Sequence, residues 1–110
     1  MRDIKDVAVA CWRLEKWVDK TNVEKKMAAK SALRILNEYL LENGIEIRDL
    51  TGERFSSGLS VEVIGNESEE TDAEKLIIRE TIKPVLLENG SVIQAGQVIL
   101  AKKEESKIKE

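Results

Sequence analysis

Few side chains in this sequence are of a type that carries out covalent or acid–base chemistry. The 110 residues contain no histidine and a single cysteine, Cys11, so Ser/His and Cys/His pairs and zinc clusters built from these ligands are excluded. Carboxylates are abundant, but no spacing brings two of them together as an acid/base pair. No glycine-rich phosphate loop precedes a helix. The sequence therefore predicts a protein that is not an enzyme and holds no cofactor or metal.

Composition and charge limit the kinds of partner that this chain is expected to bind. The chain is 42% hydrophobic and 35% charged, which is typical of a sequence that folds. No apolar run has the length of a membrane span, and the first residues lack the hydrophobic core of a signal peptide. The net charge is −3, and basic residues alternate with acidic ones at helical spacing. We expect a cytoplasmic protein that binds neither nucleic acid, nor membrane, nor a small-molecule substrate.

Two helices are predicted before Gly44. From Asp3 to Lys20, apolar residues recur at three- and four-residue steps without a glycine or proline. The segment Thr21-Asn22-Val23-Glu24 fits a capping box that begins a second helix, and Asn43-Gly44 provides its C-terminal stop. The first apolar stripe does not continue in phase past Thr21. This favours a helical hairpin, while one long stuttered helix stays an alternative.

Each predicted helix carries one stripe of apolar residues, which we call its seam. These seams predict association of the chain with itself. Each seam is covered on one side only by the other helix, so a second copy would complete a four-helix bundle. In the alternative, the hairpin packs on the second half of its own chain. Seven seam residues are predicted to form the homodimer contact: Val7, Cys11, Leu14, Val18, Leu33, Leu36 and Leu40.

The remainder of the chain is predicted to be a small all-β domain of about five strands. The expected strands lie in residues 45–47, 59–64, 76–82, 85–88, 91–93 and 97–101. Asn89-Gly90 predicts a tight hairpin turn, and the acidic residues 66–74 predict a mobile loop. Strict alternation would place Glu80 on the same face as two isoleucines, which indicates a β-bulge or an open strand end, with an exposed, partner-facing acid as the alternative. The whole prediction is an α+β fold with a helical dimerisation hairpin at 1–43, a β domain at 44–101 and a flexible charged tail at 102–110.

Several motifs, taken in order, resemble the C-terminal part of the GrpE family, the dimeric factors that release ADP from DnaK-type chaperones. Gly44-Ile45-Glu46-Ile47 is similar to the segment that leads from the helices into the family's β domain. Gly52-Glu53-Arg54-Phe55 matches its G-E-x-F motif, and residues 78–99 are similar to its last hairpin. Pro84-Val85 and Gln94-Ala95-Gly96 depart from the family pattern in that hairpin. The family's long N-terminal paired helix has no counterpart in the residues before Gly44.

The resemblance implies that the protein is a homodimeric co-chaperone. Its β domain would insert against one lobe of the nucleotide-binding domain of a DnaK-type chaperone and favour the open form, which holds ADP weakly. Exchange of this kind needs differential affinity for two states and no catalytic group. The partner-binding residues that the resemblance implies are Lys83, Val85, Leu86, Leu87 and Gln94, although Val85 and Leu87 could equally be core residues.

Two other functions stay open at this point. One is a dimeric structural adaptor that has kept the scaffold without exchange activity. The other is a carrier module, because residues 90–99 also resemble the turn-and-strand segment of biotinyl and lipoyl domains. Those domains present a modifiable lysine in a tight hairpin, where this chain has Asn89-Gly90, which disfavours a carrier.

Overall fold

In the computed structural model, which describes residues 3–21 and 26–103, two helices precede six β-strands. The strands form two three-stranded sheets. The predicted α+β arrangement of a helical hairpin followed by a small β domain is confirmed. No helix in the described part of the chain is long and apolar enough to cross a membrane.

The two helices form a hairpin because the chain is extended at Thr21. Helix α1 spans Ile4–Lys20, and the carboxylate of Asp3 caps it by accepting a hydrogen bond from the Lys5 backbone N–H at 2.9 Å. Thr21 then adopts φ −95° and ψ 140°, which ends the helix. Helix α2 spans Lys26–Glu42, and Gly44 follows with φ 78°, the left-handed conformation that glycine tolerates. Of the predicted capping box at residues 21–24, residues 22–24 lie outside the described residues.

The strands are divided between a first and a second sheet. The first sheet is antiparallel and consists of β1 (Ile45–Arg48), β4 (Val85–Glu88) and β5 (Ser91–Gln94), in the order β1-β4-β5. The second sheet consists of β2 (Val61–Asn66), β3 (Leu76–Lys83) and β6 (Gly96–Lys102), in the order β2-β6-β3. In it, β6 pairs parallel with β2 and antiparallel with β3. We refer to the six strands and their connections as the β module.

Several local predictions are met in this β module. Asn89 and Gly90 have φ angles of 51° and 89° and form the tight turn between β4 and β5. The register of β3 shifts between Ile78 and Glu80, so the predicted bulge accounts for an exposed acid that strict alternation would have placed beside isoleucines. Pro84 lies between β3 and β4 and is fully buried, at the point where the chain passes from the second sheet to the first.

The acidic segment after β2 is folded into a series of local turns. Side-chain oxygens of Asn66, Ser68, Glu70 and Asp72 each accept a hydrogen bond from the backbone N–H two residues further on, at 2.9 to 3.2 Å. The segment ends in a short 3-10 helix at Ala73–Lys75, a departure from the mobile loop predicted at residues 66–74. Of the predicted charged tail, residues 104–110 lie outside the described residues.

The apolar residues form two cores. One lies inside the β module and contains Leu50, Leu76, Ile78, Val85, Leu87, Val98 and Leu100. The other joins the hairpin to the first sheet and contains Ala8, Val9, Cys11, Leu40, Ile45 and Leu86. The expectation that the hairpin seams stay uncovered within one chain is therefore wrong for Cys11 and Leu40, whereas the seam residues Leu14 and Leu36 stay exposed. The hairpin packs on its own β module because Ile45 and Leu86 present apolar side chains that cover this part of the seam.

Candidate functional site

The hairpin carries a group of large apolar side chains that the rest of the described chain does not cover. Its members are Leu14 and Trp17 on α1 and Ile35, Leu36 and Tyr39 on α2, which we call the apolar face. Their exposed fractions run from 39% for Leu36 to 59% for Ile35. Apolar patches rimmed by polar residues mark sites of protein interaction more often than single exposed side chains do. The apolar face is therefore the candidate functional site.

Polar contacts between the helices lie on a different side of the hairpin. The Asn37 side-chain amide donates a hydrogen bond to the Glu15 carboxylate at 3.3 Å, and the Lys30 ammonium pairs with Asp19 at 3.2 Å. With 3.6 residues per helical turn, Glu15 and Asp19 are turned away from the apolar face. The hairpin thus has a polar side, closed by contacts within the chain, and an opposite apolar side that is open.

The spacing within the apolar face suits helix pairing. On α2, small alanines at positions 28 and 32 precede Ile35 and Tyr39 at steps of four, three and four residues. This step pattern places side chains on one stripe of a helix, as in the seams of helical bundles. On α1, Leu14 and Trp17 are three residues apart and so share one stripe of their helix. The stripe through Ile35 and Tyr39 is also present in the sequence, but the predicted seam followed residues most of which the structure buries.

Of the seven predicted dimerisation residues, only two lie on the apolar face. Leu14 and Leu36 are exposed and Val7 is partly buried. The remaining four are buried within the chain: Cys11, Val18, Leu33 and Leu40. For these four the prediction is corrected, because they are at most 4% exposed and present no surface to a second copy, and Cys11 and Leu40 belong to the core shared with the first sheet.

The predicted partner-binding residues on β3, β4 and β5 fall into a buried group and a half-buried group. Val85, Leu86 and Leu87 are at most 7% exposed, because β4 is the central strand of the first sheet and contacts both cores. Their assignment to a partner-facing surface is therefore corrected. Lys83 and Gln94 are half-buried, and the Gln94 amide donates to the Pro84 carbonyl at 3.4 Å. Val92, which lies on β5 with Gln94, is a large apolar residue that is 46% exposed.

Asp49 connects α1 to the β module. Its Oδ2 atom accepts hydrogen bonds from the Trp12 indole N–H and from the Lys16 ammonium, both at 3.0 Å, and its Oδ1 atom accepts one from the Thr51 backbone N–H at 3.0 Å. Burial raises the pKa of Asp49, but the hydrogen bonds from Thr51, Lys16 and Trp12 outweigh it and hold this pKa well below its usual range. The Lys16 ammonium also lies 5.2 Å from the centre of the Trp12 ring.

Cys11 and the acidic side chains are the described groups that bear on catalysis and metal binding. Cys11 is buried, and burial together with the charge of Glu15 raises the pKa of its thiol, which disfavours the nucleophilic thiolate. Within residues 3–21 and 26–103, no three His, Cys, Asp or Glu side chains are grouped so that they could hold a metal ion. The aliphatic and aromatic side chains of the apolar face are suited to noncovalent contacts.

No family model matches the chain, and no curated protein matches it either. The exposed apolar face lies on the hairpin, whereas the motifs that resemble the GrpE family lie mainly in the β module.

Proposed function

We propose that this chain is a cytoplasmic, non-enzymatic binding protein that acts as a homodimeric, GrpE-like nucleotide-exchange factor for a DnaK-type chaperone. In this proposal the hairpin joins two copies and the β module contacts the ATPase domain of the chaperone. The observation that carries the proposal is the apolar face, because it gives a fold with two modules an obvious site for self-association. The motif resemblance supplies the specific partner.

A second copy is the occupant that best suits the apolar face. A twofold interface brings the same patch of both subunits together, so a patch that is apolar throughout can complement itself. Two hairpins joined in this way form a four-helix bundle, in which Trp17 and Tyr39 lose most of their exposure. The proposed dimer is a four-helix bundle, as the sequence predicts, but its contact residues differ from the predicted ones. They are Leu14, Trp17, Ile35, Leu36 and Tyr39.

The β module extends from the other side of the hairpin and stays accessible in such a dimer. We assign the chaperone contact to the surface around Lys83, Val92 and Gln94. A basic side chain, an exposed valine and an amide can recognise a mixed polar and apolar surface, while buried Leu86 and its neighbours keep β4 rigid. Binding that favours the open nucleotide-binding domain lowers its affinity for ADP, and this effect needs no catalytic residue.

The direct test is release of labelled ADP from the ATPase domain of a DnaK-type chaperone. We expect the full chain to accelerate release and the Val92→Ser/Gln94→Ala variant to lose most of the acceleration. A Val63→Ser variant is a matched control, since Val63 is similarly exposed at 42% but lies on β2 of the second sheet. An unchanged release rate with the wild-type chain would overturn the exchange function.

One observation favours a second candidate, a dimeric adaptor without exchange activity. Val85, Leu86 and Leu87, the apolar part of the surface implied by the family resemblance, are interior residues here, which leaves a smaller surface for the chaperone. An adaptor would dimerise through the apolar face and leave ADP release unchanged. Measuring both oligomeric state and ADP release therefore separates the two functions.

A further inference from the structure

The exposed stripe of α2 changes from small to large side chains along the helix. Ala28, Ala32, Ile35 and Tyr39 follow one another at steps of four, three and four residues, and we call them the α2 stripe. All four are exposed, the isoleucine at 59% and the tyrosine at 55%. The first half of the α2 stripe is therefore a shallow hollow, and its second half protrudes.

This change in size is complementary to itself when two copies of α2 run in opposite directions. The order of the steps is the same from either end, so one register brings Ala28 opposite Tyr39 of the second copy and Ala32 opposite Ile35. Each of the four resulting layers contains one alanine and one large side chain, which is the alternation that fills a helix interface evenly. Two copies running in the same direction would pair alanine with alanine and Tyr39 with Tyr39, leaving gaps at one end and crowding at the other.

The charge at the end of the α2 stripe favours the same direction. Glu42 follows Tyr39 by three residues, so it extends the α2 stripe at its C-terminal end, and it is exposed. Neighbouring copies of α2 that run in parallel would bring two Glu42 carboxylates together, which is unfavourable. In the antiparallel register these carboxylates lie about 25 Å apart along the helix axis, at 1.5 Å per residue.

Helix α1 places its exposed tryptophan at the centre of this arrangement. Two contacts fix the level of α1 against α2, because Glu15 bonds to Asn37 and Asp19 pairs with Lys30. Trp17 lies midway between the two acids, and the midpoint of Asn37 and Lys30 is also the midpoint of the α2 stripe. A twofold axis through that midpoint therefore passes beside Trp17, which is 58% exposed and can pack against the same residue of the second copy.

We propose that the homodimer forms through antiparallel copies of α2, with each alanine of the α2 stripe opposite a large side chain. The inference rests on the proposed self-association through the apolar face and adds its direction. The β module follows the C-terminal end of α2 through Gly44, so antiparallel helices hold the two β modules at opposite ends of the bundle. Both surfaces around Lys83, Val92 and Gln94 are then accessible at once, and one dimer has room for two partner molecules.

A distance between two spin labels tests the direction. Asn43→Cys provides the label site directly after α2 and keeps Glu42, while Cys11 is 4% exposed and the wild-type chain treated with the label is the control. Double electron–electron resonance should give about 30 Å between the two labels, since residue 43 lies nine to ten residues from the axis on each helix. A distance below about 20 Å would show that the helices run in the same direction and would overturn the proposal. A dimer without partner-to-partner coupling is not expected in either case, so loss of all coupling would show a monomer and remove the self-association itself.

An exchange of side-chain sizes tests the register. Ala32→Ile places an isoleucine opposite Ile35 of the second copy and should weaken the dimer on the order of tenfold, because the layer becomes overfilled. Ala32→Ile/Ile35→Ala returns one small and one large side chain to that layer and should recover most of the wild-type affinity. Sedimentation equilibrium measures the affinities, and circular dichroism checks the fold. A tighter dimer with Ala32→Ile, as expected where alanine faces alanine, or no recovery in the double variant would overturn the proposal.

Discussion

In the β module, Ile78, Val98 and Leu86 are fully buried, and three large apolar residues of its described part are exposed. The hairpin is less than half the chain, yet seven of its described large apolar residues are exposed, five of them on the apolar face. Two stacked sheets can enclose a core between them, whereas two helices expose the sides that neither the other helix nor the sheet covers. The β module therefore encloses its own core within one chain, whereas the hairpin carries most of the large exposed apolar side chains of the described residues.

The largest expected loss of stability comes from a substitution in the core that the hairpin shares with the β module. Leu86 is fully buried between α1 and the first sheet, so Leu86→Ala should lower the free energy of unfolding by about 2–5 kcal/mol. Urea unfolding followed by tryptophan fluorescence, which reports on the hairpin, and by circular dichroism should show one shared transition. Val92→Ala, on the exposed side of β5, should stay within about 0.5 kcal/mol of the wild type. Separate transitions for the two signals would show that the regions unfold independently.

A smaller effect is expected at the connection between the regions. Gly44 has φ 78°, and a Cβ atom there would collide with the Asn89 side chain, so Gly44→Ala should cost more than about 1 kcal/mol. Gly52→Ala is the matched control, because Gly52 also has a positive φ, of 91°, but has open space around it. The two variants are compared by urea unfolding. Equal losses would mean that backbone strain alone, and not contact between α2 and the β4–β5 turn, explains the effect.

The smallest expected loss of stability concerns the hydrogen bonds of Asp49 that connect α1 to the β module. Asp49→Asn removes a charged acceptor from Lys16 and Trp12 and should cost roughly 1 kcal/mol at neutral pH. Because the folded-state pKa of Asp49 is depressed, its contribution is present above the unfolded pKa of about 3.9 and is lost as pH falls toward the folded value.

The stability difference between wild type and Asp49→Asn should therefore shrink when urea unfolding is repeated near pH 2.5, below the unfolded pKa of Asp of about 3.9. Asp19→Asn is the control, since the Asp19–Lys30 pair is about half exposed and surface pairs contribute little. A difference that is constant with pH would contradict the hydrogen-bonded state assigned to Asp49.

Local sequence signals predicted most of the fold. The two helices, the Asn89-Gly90 turn and the bulge before Glu80 each depend on residues close together in sequence. Periodicity and turn chemistry were therefore sufficient to predict them. The division of the strands between two sheets was not predicted, because it depends on buried Pro84 carrying the chain from β3 to β4. Similarly, the 3-10 helix at Ala73–Lys75 follows from side-chain hydrogen bonds within the acidic segment that composition alone does not reveal.

The candidate site was predicted less well. The sequence contains two apolar stripes on the hairpin, and periodicity could not tell which one faces the β module. Cys11 and Leu40 turned inward because Ile45 and Leu86 lie against them, a contact between residues far apart in sequence. The stripe through Ile35 and Tyr39 stays exposed. Asp49 was also missed, since the hydrogen bonds that it accepts from Trp12 and Lys16 join residues far apart in sequence.

Sedimentation equilibrium at micromolar concentrations tests most directly whether the apolar face binds a second copy. We expect a dimer for the wild type and for Leu41→Ser, which changes an exposed leucine on another side of α2. We expect a folded monomer for Ile35→Ser/Tyr39→Ser, with circular dichroism confirming the fold. A wild-type chain that is monomeric throughout this range, or a double variant that dimerises as strongly as the wild type, would show that the apolar face does not join two copies.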